Sequence, residues 1–138
     1  MQTMKELFPE FDWAGTADAF LAELQRANLS ITEQMRRRKI VRLEIKPLLC
    51  NGGIKIEKGY FVVVFNYETT LEEKMETLGH EIGHTFHYDL VPSEPCLLCS
   101  KARESEDVFN RLEEFCRIFA KRWLKLNSVE EIRKVIGI

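Results

Sequence analysis

Residues 70–88 read TLEEKMETLGHEIGHTFHY, and this stretch predicts the helix around which the rest of the chain is arranged. Thr70 and Glu73 have the spacing of a capping box, in which each side chain binds the backbone N–H of the other residue. The apolar residues that follow recur at spacings of three and four, which predicts one buried helical face: Leu71, Met75, Leu78, Ile82 and Phe86.

The same stretch contains the pattern H-E-x-x-H at positions 80–84. On a helix, His80 and His84 lie one turn apart on the same side, so both imidazoles can bind one metal ion. Glu81 projects to the flank of this pair, from where it can reach a water on the metal without being a ligand. The pattern is typical of zinc peptidases, in which the glutamate is the general base.

Composition indicates one ordinary globular domain. The chain has 138 residues, 45% hydrophobic and 30% charged, so residues 1–138 suffice for one core but hardly for two. A net charge of −2 gives no reason to expect direct nucleic-acid binding. No apolar run approaches the ~20 residues that span a bilayer, and the first residues resemble no signal peptide. We therefore expect a cytoplasmic protein with reduced cysteines.

The remaining periodicities predict an α+β fold. Alternation or continuous apolar character predicts strands at residues 40–45, 54–57 and 60–66, separated by turn signals at 51–53 and 58–59. We expect these strands to form a small antiparallel sheet. Helices are predicted from Thr16 to about Asn28, from Ser30, from about Ser105 to Leu126 with Val108 on its inner side, and from Ser128 to Gly137.

A third metal ligand has to be found, because a catalytic zinc ion usually takes three from the protein. His87 is the nearest candidate. Three ligands on one straight helix would span about 10 Å, however, which is too far for bonds near 2 Å. His87 is better interpreted as a residue that lines the pocket, supports a ligand, or is simply a partly buried polar side chain.

Residues 113–120 read EEFCRIFA. Together with the H-E-x-G-H stretch, this segment resembles the ImmA/IrrE family of metallopeptidases, whose second motif has the form E-x-x-[AC]-[ND]-x-F-A. The resemblance covers roughly residues 40–126. It implies that the sheet packs on a zincin-like pair of metal-bearing helices. It also implies Zn²⁺ held by His80, His84 and Glu113, with Glu114 as the fallback ligand.

Arg117 departs from the family pattern, which usually has Asn or Asp there. Such a residue accepts a hydrogen bond that orients a ligand histidine, whereas arginine has no acceptor. The sequence therefore does not identify the group that orients the histidine.

The resemblance implies a zinc-dependent peptidase that cleaves a regulatory partner, a helix-turn-helix repressor of stress or mobile-element genes. Glu81 would act as the base. His87, Tyr88 and Tyr67 are candidates for binding the oxyanion or lining the pocket. Residues 61–65 could hold an extended substrate by strand addition if this strand lies at the sheet edge.

Two other functions stay open at this point. A peptidase-like fold could bind a regulator, as in a phage or toxin–antitoxin pair, with weak or no proteolysis. Alternatively, the domain could be structural and free of metal. The presence of Glu81 favours an enzyme, because a binding domain needs no base. Neither a DNA-binding segment nor a membrane span is evident, and the sequence does not indicate an oligomeric state.

The cysteines allow several interpretations. Cys96 and Cys99 form one C-x-x-C pair without a second, which is weak support for a structural zinc site. They could be bystanders, a labile disulfide, or a source of thiolate that caps the zinc. Cys50 and Cys116 are interpreted as ordinary buried cysteines.

Overall fold

The computed structural model describes residues 1–88 and 106–137, without the side chains of Tyr88 and Glu106. In these ranges the fold is α+β, as the sequence predicts. The elements are, in chain order, α1 (Met4–Leu7), α2 (Ala14–Arg26), α3 (Ile31–Arg37), β1 (Ile40–Lys46), β2 (Gly52–Glu57), β3 (Tyr60–Asn66), α4 (Leu71–Tyr88), α5 (Glu106–Leu126) and α6 (Val129–Ile136).

The three strands form a mixed sheet with the order β1-β3-β2. β2 and β3 are an antiparallel hairpin, whereas β1 runs parallel to β3. The prediction of a wholly antiparallel sheet is therefore wrong for β1. The physical reason lies in residues 61–65, which are apolar and buried at every position. The outer face of this strand is covered by long side chains from strands on both sides of it, which requires β3 to lie between β1 and β2.

This strand order also overturns the expectation that residues 61–65 could lie at the sheet edge. β3 is paired on both sides, so its backbone is not available to a substrate. In the described part of the chain, the sheet edges are β1 and β2.

One face of the sheet carries a network of ion pairs between the edge strands: Arg42, Glu44, Lys46, Lys55 and Glu57. Glu44 is central to it, with carboxylate oxygens 2.7 Å from Arg42 Nη2, 2.9 Å from Lys46 Nζ and 3.1 Å from Lys55 Nζ. Its hydrogen bond with Lys46, aided by those with Arg42 and Lys55, lowers the pKa of Glu44 to about 2. These side chains lie over buried Val62 and Val64 of β3.

The opposite face of the sheet contributes to the hydrophobic core, into which the helices also pack. α4 packs against α5, β2 and β3 and is therefore the central element of the fold. The largest fully buried side chains come from every part of the described chain: Trp123, Phe8, Phe65, Phe86, Phe115, Phe119, Met4, Ile31, Ile54, Leu78, Ile82 and Ile132.

The helices differ from the sequence-based expectations at two points and agree with them at two others. α2 begins at Ala14 without a side-chain cap, so Thr16 lies inside it. Val108 of α5 is exposed and is not part of its inner side. Ser30 does cap α3, accepting a hydrogen bond from Glu33 N. Gly137 ends α6 in the left-handed conformation that favours glycine.

Over residues 1–88 and 106–137, none of the helices has both the length and the apolar character that a bilayer span requires.

Candidate metal centre

The N-terminus of α4 is fixed by the capping box that the sequence predicts. Glu73 N donates to Thr70 Oγ1 at 3.1 Å, and Thr70 N donates to Glu73 Oε1 at 3.0 Å. The helix then continues without a break to Tyr88. His80 and His84 consequently lie one turn apart on the same side of α4.

α5 crosses α4 at two glycines that each precede a histidine. A Cβ atom at Gly79 would lie 3.1 Å from Ala120 Cα, and one at Gly83 would lie 3.3 Å from Cys116 Cα. Any larger residue would hold the two backbones further apart. This close crossing places the side of α5 that carries Glu113 directly opposite the two histidines.

Three polar side chains converge at the crossing. His80 Nε2 lies 3.1 Å from His84 Nε2. Glu113 Oε1 lies 3.3 Å from His80 Nε2, and Glu113 Oε2 lies 2.7 Å from His84 Nε2. Tetrahedral zinc with bonds of about 2.0–2.1 Å requires ligand atoms about 3.3 Å apart. Two of the observed spacings are close to this value and the third, between Glu113 and His84, is shorter, so side-chain adjustments that lengthen it would allow all three residues to bind one ion.

The protonation of these groups reflects their mutual contacts. Burial raises the pKa of Glu113, but its hydrogen bonds with His80 and His84 outweigh burial and hold that pKa well below its usual range. Burial lowers the pKa of His80, whereas the hydrogen bond with Glu113 and the negative charges nearby raise it, with a net increase. The cluster therefore favours an ionised carboxylate, the form that binds a metal ion.

Glu81 lies next to this cluster and is only 4% exposed. Among the described residues, its Oε1 atom is buried without a hydrogen-bond partner. Burial raises the pKa of Glu81, and the nearby His84 and His80 offset this only in part. A buried, unpartnered carboxylate oxygen costs free energy unless it has a function or a further partner. Its position beside two histidines fits a base that acts on a water at a metal.

His87 lies on the other side of the His84 ring. Its Nε2 is 2.8 Å from His84 Nδ1, and the residue is 5% exposed. Burial, reinforced by the neighbouring His84, lowers the pKa of His87 to about 3, so its imidazole is neutral. Because His84 Nε2 faces Glu113, His87 contacts the nitrogen that a metal would leave unused. This is the position of a residue that supports a ligand.

The other predicted site residues lie elsewhere or are not described. Glu114 pairs with Arg111 at 3.3 Å, so Glu113 is the glutamate that faces the histidines. Tyr67 follows β3 and is 56% exposed, and its backbone N–H donates to Lys46 O. The Tyr88 side chain, and Cys96 and Cys99 with any role as a cap on the metal, lie outside the described residues.

Arg117, the departure from the family pattern, is exposed on α5. Its side chain therefore does not occupy the buried space beside the histidines.

Cys116, which the sequence predicts to be an ordinary buried cysteine, lies next to the site. Its Sγ atom and the ligand nitrogens of His80 and His84 all lie within 4.8 Å of one another. Burial raises the pKa of this thiol well above its usual value, which disfavours the thiolate that binds metals. Its position three residues after Glu113 was the available signal, because residues so spaced share a helix face. Cys50, by contrast, is only partly buried.

Comparison with known proteins identifies no matching protein family, no matching curated protein and no matching solved structure. Any functional assignment therefore depends on the two helix motifs and on the geometry of the cluster itself.

Proposed function

We propose that this protein is a zinc-dependent metallopeptidase, with His80, His84 and Glu113 as the metal ligands and Glu81 as the general base. The observation that supports this most strongly is the convergence of three donors from two helices beside a buried carboxylate. Two imidazoles and one carboxylate are a donor set found in catalytic zinc sites, which keep a fourth position for water.

When bound, the ion would act as a Lewis acid that lowers the pKa of water to about 7 and polarises a peptide carbonyl. Glu81 would accept a proton from the attacking water and transfer it to the leaving amine. Its raised pKa suits this exchange, because a base whose pKa is nearer neutrality can also return the proton. His80 and His84 would serve as neutral ligands through Nε2.

The strand order suggests where an extended substrate would bind. Among the described residues, β2 is an edge strand, and a Cβ atom at Gly52 would lie 2.4 Å from Thr77 Cγ2 of α4. β2 therefore runs directly against the metal-bearing helix, one turn before His80. We propose the free edge of β2, in place of β3, as the strand to which a substrate backbone adds.

The identity of the substrate is proposed from the resemblance of the two helix motifs to those of the ImmA/IrrE family. On that basis we propose a zincin-like packing of α4 and α5, a cytoplasmic location, and a helix-turn-helix repressor as the protein substrate. Contact with DNA would then be made by the repressor.

The first test is metal content. We expect about one zinc ion per chain in protein purified without chelator, and its loss in His80→Ala and His84→Ala. A chain that contains no zinc and takes up none when zinc is added would refute the proposal.

The second test separates catalysis from metal binding. Glu81→Gln should retain zinc and lose cleavage of a fluorogenic peptide library, because the amide has nearly the same shape but cannot act as a base. Glu76→Gln is the matched control, since Glu76 is exposed on the same helix. Cleavage that is equal in both variants would refute the mechanism. Zinc binding without cleavage by any form would instead favour a peptidase-like binding partner.

A further inference from the structure

We infer that His87 is the positioning residue of the proposed metal site, accepting a hydrogen bond from His84 and thereby turning His84 Nε2 toward the metal. This inference rests on the proposed function, because it gives a role to a residue beside a proposed ligand.

The contact is short and buried. His84 Nδ1 and His87 Nε2 are 2.8 Å apart, and the two ring centroids are 5.0 Å apart with an interplanar angle of 65°. Both residues lie on α4, three positions apart, so the backbone of one continuous helix fixes their spacing. A hydrogen bond in such a water-poor environment is strong, and it is costly to leave either partner unsatisfied.

The position of the proton on His84 determines which of the two histidines donates this hydrogen bond. A histidine that binds a metal through Nε2 carries its single proton on Nδ1. His84 Nδ1 must then donate, and His87 Nε2 must accept. If His87 donated instead, the His84 proton would sit on Nε2 and block metal binding there. Only one of the two arrangements of this histidine pair is therefore compatible with a metal at His84.

The N-terminal part of the chain holds His87 in place. The Trp13 ring lies 5.7 Å from the His87 ring, stacks on Phe11 at 4.6 Å and meets Phe115 of α5 edge-on at 4.8 Å. Trp13 thus connects the segment before α2 to the helix that carries Glu113. This aromatic packing restricts the His87 rotamer and keeps its Nε2 aimed at His84.

A pair of amide variants tests the inference with little difference in polarity. In His87→Gln, the amide oxygen can occupy the position of the imidazole Nε2 and accept the same bond. In His87→Asn, the side chain is one methylene shorter and cannot reach. We expect zinc affinity, measured by chelator competition, to stay within a few fold of wild type for Gln and to fall about 10–100-fold for Asn.

Cobalt substitution supplies a readout that a purely structural role would not change. The visible spectrum of bound Co²⁺ depends on coordination geometry, so it should be similar to wild type in His87→Gln and altered in His87→Asn. Ile132→Val, a conservative change at a fully buried position of α6, is the control for a general loss of stability. It should leave both the affinity and the cobalt spectrum unchanged.

The outcomes distinguish the two proposals. If wild type binds no zinc, the proposed function fails and the inference fails with it. If wild type binds zinc, while the Asn variant binds it equally tightly with the wild-type cobalt spectrum, only the inference is overturned. Equal losses in the Gln and Asn variants would also overturn it, because hydrogen-bond acceptance would then not be what matters.

Discussion

Replacing Gly79 by alanine tests whether the close crossing of α4 and α5 determines the metal site. A Cβ atom at this position would lie 2.9 Å from Trp123 Cε3 and 3.1 Å from both Cα and Cβ of Ala120. Carbon atoms in favourable contact are about 3.5–4.0 Å apart. The new methyl group must therefore push α5 away from α4 by roughly 0.5 Å.

The net effect on stability is the difference of two opposing terms. Overpacking of a buried contact costs about 1–3 kcal/mol, whereas exchanging glycine for alanine within a helix contributes about 1 kcal/mol of stability. Because Ala120 presents backbone, the helices cannot relieve the contact by a side-chain rotation. We expect the free energy of unfolding of the metal-free protein to fall by about 1 kcal/mol.

The metal site should be affected more specifically. His80 is adjacent to Gly79, and Glu113 lies on α5, so separating the helices lengthens the distances between them. Metal–ligand bonds tolerate deviations of about 0.2 Å, which is less than the expected displacement. We expect zinc affinity to fall on the order of tenfold, equivalent to about 1.4 kcal/mol.

Urea unfolding in the presence of chelator would measure the stability, and chelator competition would measure the affinity. Gly15→Ala is the control, because a Cβ at this position in the first turn of α2 would have no described atom within 4 Å other than those of its chain neighbours and its own helix backbone. This control should gain up to ~1 kcal/mol of stability and bind zinc normally. If Gly79→Ala behaved in the same way, the crossing would not be limited by this contact and the reasoning would be refuted.

Three further predictions address single side chains. Glu113→Ala should weaken zinc binding more than Glu114→Ala, as measured by chelator competition; the reverse order would move the ligand by one residue. Cys116→Ala should leave zinc affinity unchanged, and Co²⁺ bound to wild type should lack the near-ultraviolet band of a thiolate ligand; its presence would add the sulfur to the ligand set. Glu44→Gln removes a group whose pKa falls from 4.5 to about 2 on folding through its pairing with Lys46 and the other cations. Its stabilisation is present above pH 4.5 and is lost as the pH falls toward 2, so the urea midpoints of wild type and variant should converge in that range; a constant difference would contradict this assignment.

Features that depend on residues close together in the chain could be predicted from the sequence. The capping box at Thr70 and Glu73 depends on residues three apart, and both of its hydrogen bonds form. The apolar stripe of α4 likewise follows from helical periodicity. The left-handed end of α6 follows from Gly137 alone.

The same patterns do not specify which elements that are distant in the chain pack against each other. Alternation predicts β1 but does not specify its neighbour, and the parallel pairing depends on where the continuously apolar β3 can bury both faces. α2 begins at Ala14 without a side-chain cap, so no capping residue marks its start.

In the candidate site, too, contacts within one helix could be predicted in part, whereas contacts between helices could not. The spacing of His80 and His84 could be read directly from the chain, because both belong to one helix. The contact of His84 Nδ1 with His87 Nε2 required ring orientations that no spacing rule supplies. The proximity of Cys116 depended on how closely α5 approaches α4 at Gly83, which only the packed structure determines.

The turn between β2 and β3 bears on the order in which the chain folds. Lys58 and Gly59 both have positive φ angles, 52° and 82°, as in the two-residue turns that match the twist of a hairpin. Such a hairpin can close within about 1–10 μs. Pairing of β1 is expected to be slower, because its partner is β3, the last strand in the chain, and the loop that has to close between them is longer. We expect the hairpin to belong to the folding nucleus, so Lys58→Asn, which tolerates positive φ better, should accelerate refolding in stopped-flow experiments with little change in the unfolding rate. A change confined to the unfolding rate would instead place hairpin closure after the rate-limiting barrier.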